Sequence, residues 1–448
     1  MFILLEVADY ESGGTSGLIA GNMKNSRNSN LSLRNSDTAI YKASEFSDLN
    51  AENIRNNTGA DNVNQYGFSE KKSSRGKKSS KKKAIGILLG VLAALIGIIV
   101  GVVCYAYWYK EKLLNKITYE TKEPDAVVTI INEKGETVIL SEVTQTTKFK
   151  PIQEEPIRNY LLIGIDSREN YYSEDGLGDR SDVIVVMSID KKQGTIKLLS
   201  IPRDAYALFP GYENFHKINA SMTWGGPDLL EETVEECLRI EIDGYAYVNF
   251  NHMAEIIDAV GGVYVDMNYA EMEVANDYIE RMDEDAELIY SCGYDTWLNG
   301  IQAVGYARNR YTGDGEYERM EREIEVLRSI MDQFMDLSTT EKLSALETVF
   351  EAVVTDIDKN EIEKLALEFL PSMKNLEMQY LQLPIEGCYN CGTYGDEWSM
   401  RVNWNAFIPY VQKYFYGRTT EFDEVEIPSH APDIDDCDLD IPLEDLVH

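Results

Sequence analysis

The sequence predicts an α/β domain of three layers, α/β/α, with helices on both faces of a central mixed sheet and one transmembrane helix before it. Three observations carry this. Near-continuous apolar runs of strand length, such as Asn159-Tyr-Leu-Leu-Ile-Gly-Ile and Asp182-Val-Ile-Val-Val-Met-Ser-Ile, are the pattern of strands buried on both faces. Segments with apolar residues at helical spacing alternate with them, which places helices around the sheet. Ahead of both, the run Ala84 to Tyr109 contains no charged residue. At ~1.5 Å per residue it reaches roughly 39 Å, longer than a ~30 Å hydrocarbon core.

Residues 1–70 are rich in Asn and Ser without sustained apolar periodicity. They bury too little surface to offset chain entropy and read as a disordered cytoplasmic segment. Met-Phe-Ile-Leu-Leu at the start is too short for a signal sequence, and Met23 offers a second translation start. Residues 71–83 are a polybasic flank containing Lys71, Lys72, Arg75, Lys77, Lys78, Lys81, Lys82 and Lys83, whereas Lys110, Glu111 and Lys112 follow the span. The positive-inside rule therefore predicts a single-pass cell-membrane protein with its N-terminus in the cytoplasm and everything beyond residue 109 outside. Tyr105, Tyr107, Trp108 and Tyr109 close the span as an interfacial aromatic belt.

Charge follows the same division. Of 42 basic and 77 acidic residues, 13 and 9 fall within 1–83, leaving 29 and 68 outside. So acidic a surface excludes nucleic acid as a partner. Residues 110–155 read as an extracellular stalk, with Ala126-Val-Val-Thr-Ile-Ile and Glu136-Thr-Val-Ile-Leu spaced for a short hairpin. The globular domain is placed at 156–418. Residues 419–448, without Lys or Arg, read as a solvated acidic tail.

Within the domain, Asp182 to Ile189 and Thr195 to Ile201 read as a hairpin across Asp190-Lys-Lys-Gln-Gly. Tyr245 to Phe250, Val263 to Met267 and Glu377 to Leu383 are further strands. Helices are expected at Leu229 to Leu238, His252 to Val260 (stopped by Gly261-Gly262), Tyr317 to Met335, Lys342 to Val353, Ile362 to Phe369 and Trp404 to Tyr414. Cysteine is sparse. Cys388 and Cys391 form a lone CxxC that suits either a disulfide or a reduced pair, and no second ligand pair stands at zinc spacing.

Arginine is concentrated where strands end. Asp166 and Arg168 follow the first buried strand, Arg180 and Asp182 enter the second, and Arg203 and Asp204 leave the third. Arg308 and Arg310 share a face if extended, and Arg319 and Arg322 neighbour each other on a helix. One Arg beside one Asp is usually a surface pair worth under ~1 kcal/mol. Several delivered by apolar strands to one region are the makings of a polyanion site, because the guanidinium fork donates bidentately to phosphate and keeps its charge. Two aspartates add hard oxygen ligands for Mg²⁺, with Mn²⁺ as a substitute. The chemistry implied is transfer at a pyrophosphate. No GxSxG accompanies the four histidines, and no GxxxxGK[ST] is present.

The motifs together resemble the LytR-CpsA-Psr family. They are Leu161-Leu-Ile-Gly-Ile-Asp-Ser-Arg, Gly178-Asp-Arg-Ser-Asp-Val-Ile, Leu199-Ser-Ile-Pro-Arg-Asp, His216-Lys-Ile-Asn-Ala-Ser-Met-Thr-Trp-Gly-Gly, Leu298-Asn-Gly-Ile-Gln-Ala-Val-Gly-Tyr-Ala-Arg-Asn-Arg and Glu318-Arg-Met-Glu-Arg. Val248-Asn-Phe, Ile257-Asp-Ala-Val-Gly-Gly-Val and Val402-Asn-Trp join them. The resemblance implies a phosphotransferase that moves a glycopolymer, with its phosphate, from a polyprenyl-pyrophosphate carrier to a peptidoglycan sugar hydroxyl. It implies Asp166 and Asp182 as the Mg²⁺ site, and Arg180, Arg203, Asp182, Arg308 and Arg310 as the catalytic set. Arg168, Lys217, Arg319 and Arg322 are implied as substrate contacts, and a hydrophobic channel in the domain as the seat of the polyprenyl tail. One departure is Glu323, where the family often has glutamine. A carboxylate there repels phosphate unless it joins the metal shell or turns away. A hydrolase using water in place of the sugar, or a non-catalytic envelope-binding or regulatory protein, are the competing readings.

Overall fold

The structure, a computed structural model, describes residues 100–120, 128–140, 143, 157–166, 179–313, 315–369, 377–394, 397–427 and 441–448. The chain divides into two compact units, Met1–Ala106 and Tyr107–His448. In the first, residues 100–106 are described; they are helical, and Val100, Val102 and Val103 are exposed. Among the described residues no helix is long and apolar enough to cross a membrane. Residues 84–99 of the expected span, the polybasic flank and the segment 1–70 lie outside the described residues.

The second unit is built on a seven-stranded mixed sheet. Its strands in chain order are β1 (Thr118–Tyr119), β2 (Ile157–Ile165), β3 (Ser181–Asp190), β4 (Thr195–Ser200), β5 (Tyr245–Asn249), β6 (Val354–Thr355) and β7 (Glu377–Gln382). They lie in the order β1-β6-β5-β2-β3-β4-β7. β2 pairs parallel with β5 and antiparallel with β3, and β3 pairs antiparallel with β4. The ends of β2, β4 and β5 and the start of β3 therefore meet at one end of the sheet.

The unit's helices include α1 (Ala220–Leu238), α2 (Phe250–Ala259), α3 (Tyr269–Met282), α4 (Gly300–Ala307), α5 (Glu316–Asp336), α6 (Thr339–Ala352), α7 (Lys359–Phe369) and α8 (Trp404–Tyr416). Alternation along the strands decides what each face meets. Leu161, Ile163, Ile165, Ile184 and Val186 pack with Met222, Leu229 and Val234 of α1 and Phe407 and Val411 of α8. Leu162, Val183 and Val185 turn the other way, against Ile324 and Leu327 of α5. Val248 of β5 joins Ile256 of α2 and Ala352 of α6 on that side. Helices thus cover both faces of the mixed sheet, each buried aliphatic side chain contributing about 1.5–3 kcal/mol.

Local chemistry fixes the helices that matter for the site. The Asn249 side chain caps α2 by accepting from the His252 N–H, and Asn299 and Gln302 close a capping box on α4. Gly300 lets these two helices touch: a Cβ there stands 2.0 Å from the Ala254 carbonyl oxygen. α2 ends at Ala259, before Gly261 and Gly262 at φ 92° and 89°, as the sequence predicts.

Four expectations are revised. Val263–Met267 does not join the central sheet. It pairs antiparallel with Gly293–Leu298, a strand whose polar run of Gly, Tyr, Asp and Thr carries no apolar signal. The region read as a stalk belongs to the domain. β1 edges the sheet, and the hairpin of Thr129–Ile131 and Thr137–Ile139 buries Ile130 and Leu140 in the α1 core, because two short strands cannot hide their apolar face alone. The acidic tail is not wholly solvated, since Ile441, Leu443, Leu446 and Val447 pack on the same core and His448 exchanges backbone hydrogen bonds with Tyr380 of β7. Cys388 is disulfide-bonded while Cys391 is a free thiol, so no bridge forms within the CxxC.

Candidate active site

The meeting of strand ends brings most of the sequence-predicted residues together. Asp166 follows β2, Asp182 is the second residue of β3, and Arg203 and Asp204 stand just past β4. Arg203 Nη1 donates to Asp182 Oδ1 at 2.5 Å, and its Nε faces Glu316 at 3.4 Å and Asp204 at 3.7 Å. Lys217 Nζ, on the strand Phe215–Lys217, lies 3.0 Å from Asp204 Oδ1. Burial pulls the Arg203 guanidinium down, but Asp182, Glu316 and Asp204 together outweigh it and hold the group above its ordinary value.

Arg319 extends the cluster from α5. It is buried, donates to the Asp182 backbone oxygen at 3.0 Å and to Glu316, and its Nη1 lies 3.0 Å from Glu323 Oε1. Among the described residues its Nε has no hydrogen-bond partner. Glu323 is therefore held in an ion pair one helical turn along from Arg319. Burial pushes its carboxyl up to about 8 in spite of Arg319.

Arg308 and Arg310 do not lie on extended chain. Arg308 is the C-cap of α4, and α4 aims it across the site: Nη2 reaches Asp166 Oδ2 at 3.3 Å, and the guanidinium sits 4.2 Å from the Phe250 ring centre and 5.4 Å from that of Tyr278. Arg310 Nη2 bonds the Tyr311 hydroxyl at 3.3 Å. That bond holds Arg310 above its ordinary value against burial and the repulsion of Arg203, which is close enough to be felt. Arg180 is exposed and, among the described residues, makes no side-chain hydrogen bond or ion pair. Arg168 lies outside the described residues.

Arg322 takes a different place from the one the motif suggested. It is buried, with donors spent on Glu271 at 3.0 Å, Glu318 at 2.7 Å, Thr312 Oγ1 at 2.8 Å and the Asn309 carbonyl at 2.9 Å. It ties down the loop that carries Arg308 and Arg310 and offers nothing to a ligand. Replacing it by methionine leaves Glu271 uncompensated, and breaking a buried pair this way costs about 3–5 kcal/mol. Thermal denaturation of R322M should show that loss as a fall in Tm, and an unchanged Tm removes Arg322 from this structural role.

Between β2, β3 and β5 on one side and α2, α4 and α5 on the other lies an apolar cavity of about 220 Å³. Leu162, Val185, Ala246, Val248, Met253 and Ile256 are among its walls, and Arg308, Arg319 and Glu323 line it too. One continuous site thus offers hydrocarbon and guanidinium. Sequence reasoning named Asp204 beside Arg203 and held Phe250 only as the last residue of Val248-Asn-Phe. It missed Glu316, which stands three residues before Arg319, and Tyr278, which carried no signal.

Among the described residues no group of three or more His, Cys, Asp or Glu side chains could hold a metal ion. Asp166 and Asp182 nevertheless stand at the same end of paired strands, each ion-paired with an arginine. Two carboxylates completed by phosphate oxygens and water are the donor set Mg²⁺ takes with phosphate substrates, so the residues fit such an ion. His216, beside Lys217 in sequence, has partners of its own. Its Nε2 is 3.3 Å from Glu133 Oε2 and its ring packs 4.5 Å from Trp224.

Comparison with known proteins places this geometry. A Halalkalibacterium halodurans protein named polyisoprenyl-teichoic acid–peptidoglycan teichoic acid transferase TagU is 31% identical over 229 residues, 51% of this chain and 68% of that one. The correspondingly named TagV of Bacillus subtilis is 35% identical over 202 residues, 44% of this chain and 49% of that one. A crystal structure of a Streptococcus agalactiae protein shares the fold at a TM-score of 0.52 and 22% identity, covering 64% of this chain and 97% of that one. The model described as the LytR_cpsA_psr family matches residues 126–406, beginning in the hairpin region and ending in α8, and the chain belongs to that family.

Proposed function

We propose that the domain transfers a glycopolymer phosphate from a polyprenyl-pyrophosphate carrier to a peptidoglycan sugar hydroxyl. The observation that carries this reading is the continuity of the apolar cavity with the arginine cluster through Arg308 and Arg319. A ligand filling both has a hydrocarbon tail and a polyanionic head. The names of the curated transferases agree with it.

In this reading the acceptor hydroxyl oxygen attacks the phosphorus nearer the glycan. The new P–O bond makes a glycan–phosphate–sugar diester, the pyrophosphate P–O bond breaks, and polyprenyl phosphate leaves with the electron pair. The hydroxyl proton passes to a carboxylate or to the departing phosphate. Arg203, Arg308 and Arg310 stabilise the charge that grows on the bridging and non-bridging oxygens, which is where phosphoryl transfer gains most. Arg180, exposed at the rim, and Lys217, beside Asp204, meet the head group, while Arg319 reads it from the cavity side. Asp166 and Asp182 would hold Mg²⁺ or Mn²⁺, which neutralises phosphate charge when bound.

The uncharged run 84–109, its basic flank and the exposed valines and aromatics of residues 100–109 support a single membrane span with the domain on the outer face. That placement suits a lipid-borne donor and a wall acceptor.

The test incubates the full chain, in detergent, with a synthetic polyprenyl-pyrophosphate sugar, Mg²⁺ and peptidoglycan oligomers. Sugar phosphate on the peptidoglycan, lost on chelation and in D182A, is the expected result. Polyprenyl phosphate released without an acceptor product points to a hydrolase. Lipid bound but unchanged under every condition overturns catalysis in favour of a binding protein.

A further inference from the structure

Glu323 is a carboxyl in the wall of a largely apolar cavity that Arg308 and Arg319 also line. It is 7% exposed and shares that wall with Val326 and Leu327 of its own helix and Val183 and Val185 of β3. Its strong contact is Arg319 Nη1 at 3.0 Å. The charged and titratable groups near it are few: Arg319 and Glu316 on α5, Asp182 on β3, Arg203 beyond β4, the Tyr380 hydroxyl on β7, and Arg308 lining the same cavity. Arg319 in turn lines the cavity and has a buried Nε without a hydrogen-bond partner among the described residues.

Two competing demands meet at this pair. An ionised Glu323 attracts the Arg319 fork along the helix, away from the head-group cluster. A phosphate at the cluster attracts the same fork, and a hydrocarbon tail filling the cavity strips water from the carboxyl. Both changes disfavour the charged carboxylate: the first removes its counter-ion, the second its solvation. Protonation relieves both.

We infer that Glu323 is a proton-coupled positioning residue for the lipid head group: ionised, it holds Arg319 back, and as the lipid enters it takes a proton from solvent and releases the guanidinium to the phosphate. This rests on the cavity being the lipid site of the proposed transferase. No covalent bond changes; one proton moves from water to a Glu323 oxygen, and one hydrogen bond of Arg319 passes from carboxylate to phosphate. The ligand-free carboxyl is already raised by burial, so the coupling falls at and above neutral pH. The sign follows from linkage. The bound form holds its proton to higher pH than the free form, so lipid affinity is flat below the free-form titration and weakens by up to about tenfold per pH unit above it.

The experiment is calorimetric titration of the full chain in detergent with geranylgeranyl pyrophosphate. It is run one pH unit below and one above the ligand-free titration, each in two buffers of different ionisation enthalpy. Inorganic pyrophosphate provides the proton count of the head group alone. The wild type is expected to take up close to one additional proton per bound lipid at the higher pH and close to none at the lower. E323Q, nearly the same shape and unable to titrate, should lose that proton and bind the lipid with an affinity that no longer falls with pH beyond the head group's own titration. An equal proton count for wild type and E323Q overturns the inference, as does a wild type that takes up no proton beyond the pyrophosphate control; the latter needs no variant to fold. Failure of the wild type to bind the lipid at either pH overturns the inference together with the reading of the cavity, and so separates the two.

Discussion

Replacing Arg203 with alanine is expected to reduce glycopolymer transfer by about 10²–10³-fold, chiefly in kcat. The magnitude is that of removing one preorganised donor from a charge-stabilising site. Arg203 is the hub of the cluster: one guanidinium touches Asp182 and faces Glu316 and Asp204. In the proposed function its loss removes a fork from the phosphate; it also takes from Asp182 its guanidinium partner and from Glu316 and Asp204 a second cation beside Arg319 and Lys217. The second consequence lowers stability, since truncating one side of a buried ionic group costs several kcal/mol. R203K separates the two effects. The ammonium keeps the charge that balances the carboxylates, so Tm should stay near the wild-type value. It lacks the planar fork, so transfer should remain at least about tenfold depressed. Transfer rates in R203K equal to wild type would mean that Arg203 supplies charge balance alone. The assay is incorporation of labelled sugar phosphate into peptidoglycan, with Tm measured on the same preparations.

Filling the cavity gives the second large effect. Ala246 of β5 lies opposite Leu162 of β2, and both residues line the cavity. A phenylalanine at 246 displaces part of any tail seated there. Displacing one five-carbon isoprene unit at ~0.8 kcal/mol per buried carbon forfeits roughly 4 kcal/mol, so prenyl pyrophosphate binding should weaken by about 10³-fold. The fold should tolerate the change, because an added ring occupies existing space instead of forcing atoms apart. Inorganic pyrophosphate, which has no tail, should bind A246F as it binds wild type. Undiminished lipid affinity in a folded A246F would place the tail elsewhere.

Several features of this protein were legible in one dimension for a clear reason. Strands buried on both faces read as unbroken apolar runs, so β2, β3 and β4 were identifiable, and the exits of β2 and β4 with the entry of β3 marked where Asp166, Arg203 and Asp182 would gather. Helix ends were legible where capping chemistry or glycine imposed them, as at Gly261 and Gly262. Elements that depend on neighbours were not. Gly293–Leu298 is polar and is a strand because Val263–Met267 pairs with it. The hairpin at Thr129–Ile139 and the residues 441–448 were judged peripheral from composition, yet their few apolar side chains find cover on the α1 core.

The candidate site divides in the same way. Residue type and spacing determined the groups on offer: arginines and aspartates delivered together by strand ends, in a chain of the LytR_cpsA_psr family. Which arginine does what was decided by tertiary structure. Arg319 and Arg322 are three residues apart on one helix and equivalent by spacing. Packing sends the first to Asp182 and the cavity and locks the second to Glu271 and the Asn309–Thr312 loop. Arg308 reaches Asp166 because α4 ends beside the start of α2, which the close approach at Gly300 permits. The cavity itself has no sequence signature, since an apolar residue lining a void and one filling a core have the same composition. Only the separation of α2, α4 and α5 from the sheet distinguishes them, and that distance is set by how all the layers pack at once.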